Sequence, residues 1–141
     1  MLMNKENTIL LTDDDKDDQQ FIIETLVKKG FNGAIKIFEN GAELTDYLYT
    51  TGLTDSVIIL LDLNMPLKSG YETLKEIKEH HRLKTIPVFI ITCSQREEDK
   101  QYCLKTGCEQ FFSKPNTVNQ YNNIVDAILS FANEKAIFCQ S

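Results

Sequence analysis

Three short runs of apolar residues constrain the fold of this chain more than any other feature. They are TILLT at 8–12, VIILLDL at 57–63 and VFIIT at 88–92. A short run that is apolar almost throughout is typical of a parallel strand covered on both faces, because both sets of alternating side chains are then buried. These segments are therefore predicted to form the centre of a parallel sheet.

Two further segments are predicted to be strands with weaker burial. Residues 34–39, AIKIFE, alternate more between apolar and polar side chains, which suits an edge strand with one wetter side. Residues 109–115, EQFFSKP, predict a short fifth strand that ends at Pro115. Of the five predicted strands, this one has the weakest sequence pattern.

The segments between the strands have the apolar spacing of helices. The predicted helices cover 16–29, 41–51, 71–80 and 95–106, and a last helix carries an apolar stripe from Ile124 to Ala132. The helix at 95–106 is mostly polar, so we expect it to hold the sheet least firmly. Alternating strands and helices predict an α/β fold, in which a parallel sheet has helices on both faces.

The length of 141 residues suits one domain, and we expect a core at about 7–133 and a short tail at 134–141. For the tail, a helix extension folded back on the body is favoured over a homodimer contact. No apolar stretch reaches the roughly 20 residues of a membrane helix, and the N-terminus lacks the features of a signal peptide. A cytoplasmic protein is the resulting expectation, and the net charge of −6 argues against binding nucleic acid.

The cysteines and histidines show no spacing typical of a metal site. The four cysteines stand at 93, 103, 108 and 139 and form no CxxC pair. We expect reduced thiols that pack in the core, with a Cys103–Cys108 redox pair as the less favoured alternative. His80 and His81 lie beside basic residues at a predicted helix end, which indicates a solvated end rather than a ligand pair.

Chemistry-bearing side chains stand where the predicted strands end. In an open parallel sheet, ligands bind at the carboxyl ends of the strands. Asp13 and Asp14 follow the first strand, Asp62 lies near the end of the third, Thr92 ends the fourth and Lys114 ends the fifth. Three carboxylates, a hydroxyl and an ammonium are thus predicted to meet at one edge.

Three carboxylates this close repel one another unless a cation lies between them. Oxygen ligands suit Mg²⁺, and a lysine and a threonine beside such an ion suit a transferred phosphoryl group. Asp13 and Asp14 are assigned to the metal as a pair. Asp62 stands apart from that pair and fits best as the nucleophile that forms an aspartyl phosphate.

The acidic run continues past the metal pair. Asp15, Asp17 and Asp18 fall at the start of the first helix, where a cap oxygen and the helix dipole favour acidic residues. We therefore assign these three aspartates to the helix start and not to a direct ligand role.

Four motifs together resemble the receiver domain of bacterial two-component response regulators. They are LLTDDD, LLDLNMPLKSGYETL, IPVFIITCS and FFSKP, and the resemblance spans about 7–133. It implies the flavodoxin-like (βα)5 fold with strand order 2-1-3-4-5. The stretch at 79–99 is also similar to single-domain regulators paired with phytochrome-type kinases.

The resemblance implies a role for each site residue. Asp62 is the phosphoacceptor, and Mg²⁺ is held by Asp13, Asp14, Asp62 and the backbone carbonyl of Asn64. Thr92 is the switch hydroxyl, Lys114 pairs with the phosphoryl oxygens, Asn64 and Ser94 tune the phosphate lifetime, and Phe111 is a rotating aromatic. The Lys114–Pro115 bond is implied to be cis. Phe111 lacks the hydroxyl of the commoner tyrosine, so it can act only through packing.

The resemblance also implies a stand-alone regulator and not an enzyme, beyond its own phosphotransfer and dephosphorylation. A sensor histidine kinase or a phosphotransfer protein would donate the phosphate. Output would pass through a phosphorelay or through a protein that contacts helix 4, strand 5 and helix 5. The alternative is a Mg²⁺-dependent phosphohydrolase, but such enzymes generally need a second acid at the position of Asn64. A flavodoxin-like cofactor carrier fits poorly, because the acidic run would repel a phosphate.

Overall fold

The computed structural model describes residues 7–52 and 56–134, and strands and helices alternate throughout them. The strands are β1 (Thr8–Thr12), β2 (Ala34–Phe38), β3 (Val57–Leu61), β4 (Val88–Thr92) and β5 (Gln110–Ser113). The helices are α1 (Lys16–Lys28), α2 (Gly41–Thr50), α3 (Gly70–Glu79), α4 (Glu97–Thr106) and α5 (Val118–Glu134). The described chain is therefore the α/β repeat that the hydrophobic pattern predicts.

The five strands form one parallel sheet in the order β2-β1-β3-β4-β5, as expected. β2 lies at one edge, which confirms the prediction drawn from its alternation. Thr12 is paired with Phe38 on one side and Leu61 on the other, so three neighbouring strands end at the same level. The residues that follow these strands consequently emerge together at one edge of the sheet.

The core consists of two apolar clusters, one on each face of the sheet. Alternate residues of the central strands point to opposite faces, so Leu10 belongs to one cluster and Leu11 to the other. Helices α2, α3 and α4 cover the first cluster, and α1 and α5 cover the second. Burial on both faces is the reason that β3 is apolar along its whole length and β4 is apolar up to Thr92.

Several elements differ from the expected bounds by one or two residues at an end, and β3 and α4 are examples. β3 ends at Leu61, because Asp62 and Leu63 turn toward α3, and the Gly70 N–H donates to the Leu63 carbonyl oxygen at 2.9 Å. A Cβ atom at Gly70 would lie 2.0 Å from the carbonyl oxygen of Asp62, so only glycine allows this approach. α4 begins two residues later than expected and buries only Asp99 and Cys103.

Some local expectations are wrong. Every peptide bond in the described part of the chain is trans, including Lys114–Pro115. Trans is the form that bonds before proline prefer, by about 0.5–1 kcal/mol. Cys93 is exposed and not a core residue, because it follows the last residue of β4 and faces solvent.

The remaining thiols and histidines match the expectations where the structure describes them. Cys103 and Cys108 are buried free thiols, and burial raises their pKa to about 12 and about 11. His80 is half-buried, and its ring stacks on exposed His81. Cys139 and the tail from 135 onward lie outside the described residues. None of the helices described is long and apolar enough to cross a membrane.

Candidate functional site

Three carboxylates meet at the edge of the sheet where β1 and β3 end. One oxygen from each of Asp13, Asp14 and Asp62 lies within 4.8 Å of the others. Asp13 and Asp62 are buried, whereas Asp14 is exposed. The Asp62 N–H donates to the Thr12 carbonyl oxygen at 3.0 Å, which fixes the end of β3 against β1. The structure thus brings together the three acids that the sequence assigned to one site.

Lys114 provides the positive charge of the site. Its Nζ lies 2.9 Å from Asp13 Oδ2 and 3.3 Å from Asp62 Oδ2. Burial alone would lower the pKa of Lys114, but its hydrogen bonds to Asp18 and Asp13 outweigh that effect and the pKa is raised. The side chain is therefore a fixed cation beside Asp62.

Asp18 also belongs to the site, which the sequence interpretation missed. Its Oδ2 lies 2.7 Å from Lys114 Nζ, and the Tyr121 hydroxyl donates to its Oδ1 at 3.2 Å. Asp15 is the expected helix cap and accepts from the backbone N–H groups of Asp17 and Asp18. No local signal separates Asp18 from Asp17, because the lysine that it contacts lies 96 residues further along the chain.

Asp13 carries an electrostatic cost that a cation would relieve. Burial raises the pKa of Asp13 from 3.8 to about 6, although hydrogen bonds from Lys114 and from the Asp15 N–H act in the opposite direction. Gln19 holds the same residue through a bond of 2.6 Å to its carbonyl oxygen. A buried acid that resists ionisation, surrounded by further carboxylate oxygens, fits a hard divalent cation.

Asn64 lies next to Asp62, and Thr92 lies at the end of β4, the strand that pairs with β3. The Asn64 N–H lies 3.4 Å from Asp62 Oδ1, and the Asn64 side chain is exposed. Thr92 is fully buried at the end of β4, and its Oγ1 accepts from the Ser94 N–H at 3.4 Å. The Lys114 N–H donates to the Thr92 carbonyl oxygen at 2.6 Å, which joins the ends of β4 and β5.

Phe111 lies in β5, paired with Ile90 of β4. It is half-buried and packs against the apolar cluster beneath α2, α3 and α4. Phe111 therefore links the strand next to Thr92 with the helices of that face.

An open cleft of about 480 Å³ adjoins the carboxylates. Its lining combines polar residues next to the acids with apolar residues of the loop after β3: Asp14, Asn64, Ser69, Leu63, Met65, Pro66 and Tyr71. The cleft therefore borders the site at its exposed carboxylate, Asp14.

Comparisons with known proteins agree on the relatives of this chain. The family described as "Response regulator receiver domain" matches residues 9–126. Response regulator Rcp1 of Synechocystis sp. is 33% identical over 134 residues, which cover 91% of this chain and 90% of Rcp1. Transcriptional regulatory protein CpxR of Escherichia coli is 34% identical over 110 residues, which cover 77% of this chain and 43% of CpxR.

Solved structures show the same similarity in three dimensions. The Mn²⁺-bound form of Rcp1 aligns with a TM-score of 0.78 and 31% identity, covering 89% of this chain and 93% of the Rcp1 chain. The phosphorylated cyanobacterial phytochrome response regulator RcpA aligns with a TM-score of 0.83 and 30% identity, covering 96% of this chain and 99% of RcpA.

Proposed function

Because the chain belongs to the response regulator receiver family, we propose that it acts as a switch of two-component signalling that is phosphorylated on Asp62. Receiver domains are phosphorylated by histidine kinases or phosphotransfer proteins. One observation supports Asp62 above all: its carboxylate stands with those of Asp13 and Asp14 and lies 3.3 Å from the Lys114 ammonium. The similarity to Rcp1 and RcpA supports a phytochrome-type kinase as the donor.

Each residue of the site has a distinct role in phosphotransfer. Asp13, Asp14, Asp62 and the backbone carbonyl of Asn64 would hold Mg²⁺, which when bound neutralises phosphoryl oxygens. A carboxylate oxygen of Asp62 attacks the phosphorus of a phosphohistidine. The new P–O bond forms as the P–N bond breaks and the imidazole leaves. Lys114 balances the negative charge of the oxygens around it.

The switch follows from the added phosphoryl group. Its oxygens attract the Thr92 hydroxyl, and Phe111 fills the space that this movement leaves. The surface of α4, β5 and α5 changes as a result, and a downstream protein binds the changed surface. Asn64 and Ser94 set how quickly water removes the phosphate.

The phosphohydrolase alternative is not favoured. The family match supports a signalling switch, and Asn64 supplies an amide where such a hydrolase needs a second acid. We propose that the chemistry of the chain is limited to its own phosphotransfer and dephosphorylation. The expected place of action is the cytoplasm.

Intact-mass measurement after treatment with acetyl phosphate and Mg²⁺ tests the proposal. The wild-type chain should gain one phosphoryl group, and Asp62→Asn should gain none because it lacks the nucleophile. Asp17→Asn makes the same chemical change at an exposed residue of α1 and should gain the group as the wild type does. Phosphorylation of Asp62→Asn, or rapid turnover of phosphate esters by the wild type, would reject the proposal.

A further inference from the structure

The loop after β4 is fastened at Ser94 by four hydrogen bonds. The Ser94 N–H donates to Thr92 Oγ1 at 3.4 Å, and the Ser94 carbonyl oxygen accepts from Ser113 Oγ at 2.9 Å. The Ser94 hydroxyl donates to Asp99 Oδ2 and accepts from the Arg96 N–H at 3.2 Å. Ser94 therefore connects the switch threonine to β5 and to the first turn of α4.

Asp99 is the unusual member of this group. The neighbouring acids Glu97 and Glu98 are exposed, but only 8% of Asp99 is exposed, and it faces Ser94. The hydrogen bond from Ser94 lowers the pKa of Asp99, so the carboxylate stays charged. Burial, and then hydrogen bonding to Asp99, raises the pKa of Tyr71 in α3 to about 12.

The first turn of α4 depends on the same contacts. Arg96 precedes the helix, and its own side chain makes no cap bond. The backbone N–H of Arg96 donates instead to the hydroxyl oxygen of Ser94. The carboxylate of Asp99, in the first turn of α4, accepts a hydrogen bond from that hydroxyl. The position of α4 and the position of Ser94 are therefore linked through one charged hydrogen bond.

The proposed switch must disturb this arrangement. The Thr92 hydroxyl can turn toward a phosphoryl group on Asp62 only if it loses the Ser94 N–H or draws Ser94 with it. In the second case the bonds of Ser94 to Asp99 and Ser113 are stretched. The resting contacts of Ser94 thus oppose the movement of Thr92.

We propose that Asp99 and Ser94 form a latch that holds Thr92 in its unphosphorylated position, an inference that rests on the proposed function. Asp99 is a positioning residue that acts through Ser94 and does not touch the phosphoryl group. Opening of the latch allows Thr92 to move and at the same time frees the first turn of α4.

Beryllofluoride, a mimic of the phosphoryl group, provides the test. Its apparent Kd in the presence of Mg²⁺ can be measured from the backbone amide NMR signals of Thr92 and Lys114. Asp99→Ala should bind beryllofluoride about three to ten times more tightly than the wild type, because one charged hydrogen bond no longer has to be broken. Glu97→Ala removes an exposed acid from the same turn and should match the wild type.

A double-mutant cycle with Ser94→Ala identifies the contact. Both substitutions break the same hydrogen bond. The increase in beryllofluoride affinity of the double variant should therefore fall well below the product of the two single-variant increases. Ser94→Thr keeps the hydroxyl and should remain close to the wild type. If Asp99→Ala fails to fold, Asp99→Asn keeps the side-chain size and should show a smaller gain in the same direction.

The outcomes separate the latch from the proposed function. Unchanged or weaker binding by the Asp99 variants, or independent effects of the two residues, would overturn the latch while phosphorylation of Asp62 stands. A wild-type chain that neither binds beryllofluoride nor gains a phosphoryl group would overturn both.

Discussion

At the scale of single residues, buried Lys114 explains how so many aspartates fit at the edge of the sheet. Its Nζ contacts the carboxylates of Asp13, Asp18 and Asp62, and only 7% of its side chain is exposed. An unpaired buried charge is strongly destabilising, so the lysine and the acids each compensate the burial of the other. Removal of any one of these four charged side chains should therefore weaken the charge balance of the other three.

Replacement of Asp18 tests this dependence away from the proposed phosphoacceptor. Asp18→Asn should lower the free energy of unfolding by about 1–2 kcal/mol, because Lys114 loses its shortest carboxylate contact and Tyr121 loses a charged acceptor. Urea denaturation near neutral pH measures the change. The exposed counterpart Asp17→Asn should stay within about 0.5 kcal/mol of the wild type. Equal losses in both variants would contradict the role of Asp18.

The sequence could predict residues whose partners lie nearby in the chain. Asp15 caps α1 because the N–H groups that donate to its carboxylate belong to its close neighbours Asp17 and Asp18, and helix-start rules describe that situation. The contact of Asp18 with Lys114 depends instead on the pairing of β5 with β4, which places Lys114 near the start of α1 and which no local pattern contains. For the peptide bond before Pro115, only the resemblance implies a cis isomer. The energy difference between cis and trans before proline is small, so the local residues do not decide the isomer, which is trans in the structure.

At the scale of elements, apolar periodicity located the strands and helices but not all of their ends. The run at 57–63 is apolar on both sides of Asp62, so the pattern extended the strand beyond Leu61. The actual end is set by Gly70, which lets α3 approach the backbone of Asp62. Contacts between elements decide such boundaries, and periodicity within one segment does not report them.

Helices α3 and α4 offer a direct comparison, since each has 10 residues and both cover the same face of the sheet. α3 has a capping box between Ser69 and Glu72 and buries four residues, whereas α4 has no side-chain bond at its cap and buries only Asp99 and Cys103. The backbone amides of α4 should exchange with deuterium at least about tenfold faster than those of α3. Residue-resolved exchange by NMR measures this ratio. Equal protection would mean that α4 is not the loosely held element.

At the scale of the whole molecule, the order of the strands creates the site. Alternating strands and helices predicted the layers, but several strand orders satisfy that pattern, and the order 2-1-3-4-5 came from the resemblance. Placing β1 beside β3 and β5 beside β4 brings acids from positions 13 and 62 to the lysine at 114. The unfolded chain holds no such group, so a cation that binds this site must favour the folded state.

A divalent cation should consequently stabilise the entire domain, by about 2.7 kcal/mol when its free concentration is 100 times its Kd. Burial raises the pKa of Asp13 to about 6, so protons compete with the metal for this ligand as the pH falls through that value. Without metal the trend is opposite: protonated Asp13 favours the fold below its ordinary pKa of 3.8, and this contribution is lost as the pH rises through about 6.

The two trends can be separated by thermal unfolding with and without MgCl₂ at matched ionic strength. The rise in the unfolding midpoint caused by Mg²⁺ should be clearly larger at about pH 7.5 than at about pH 5, where Asp13 is mostly protonated. Asp13→Asn should lose most of the Mg²⁺ effect at both values, whereas Asp17→Asn should retain it. A stabilisation that NaCl reproduces, or that is the same at both pH values in the wild type, would mean that the buried carboxylate of Asp13 is not a metal ligand.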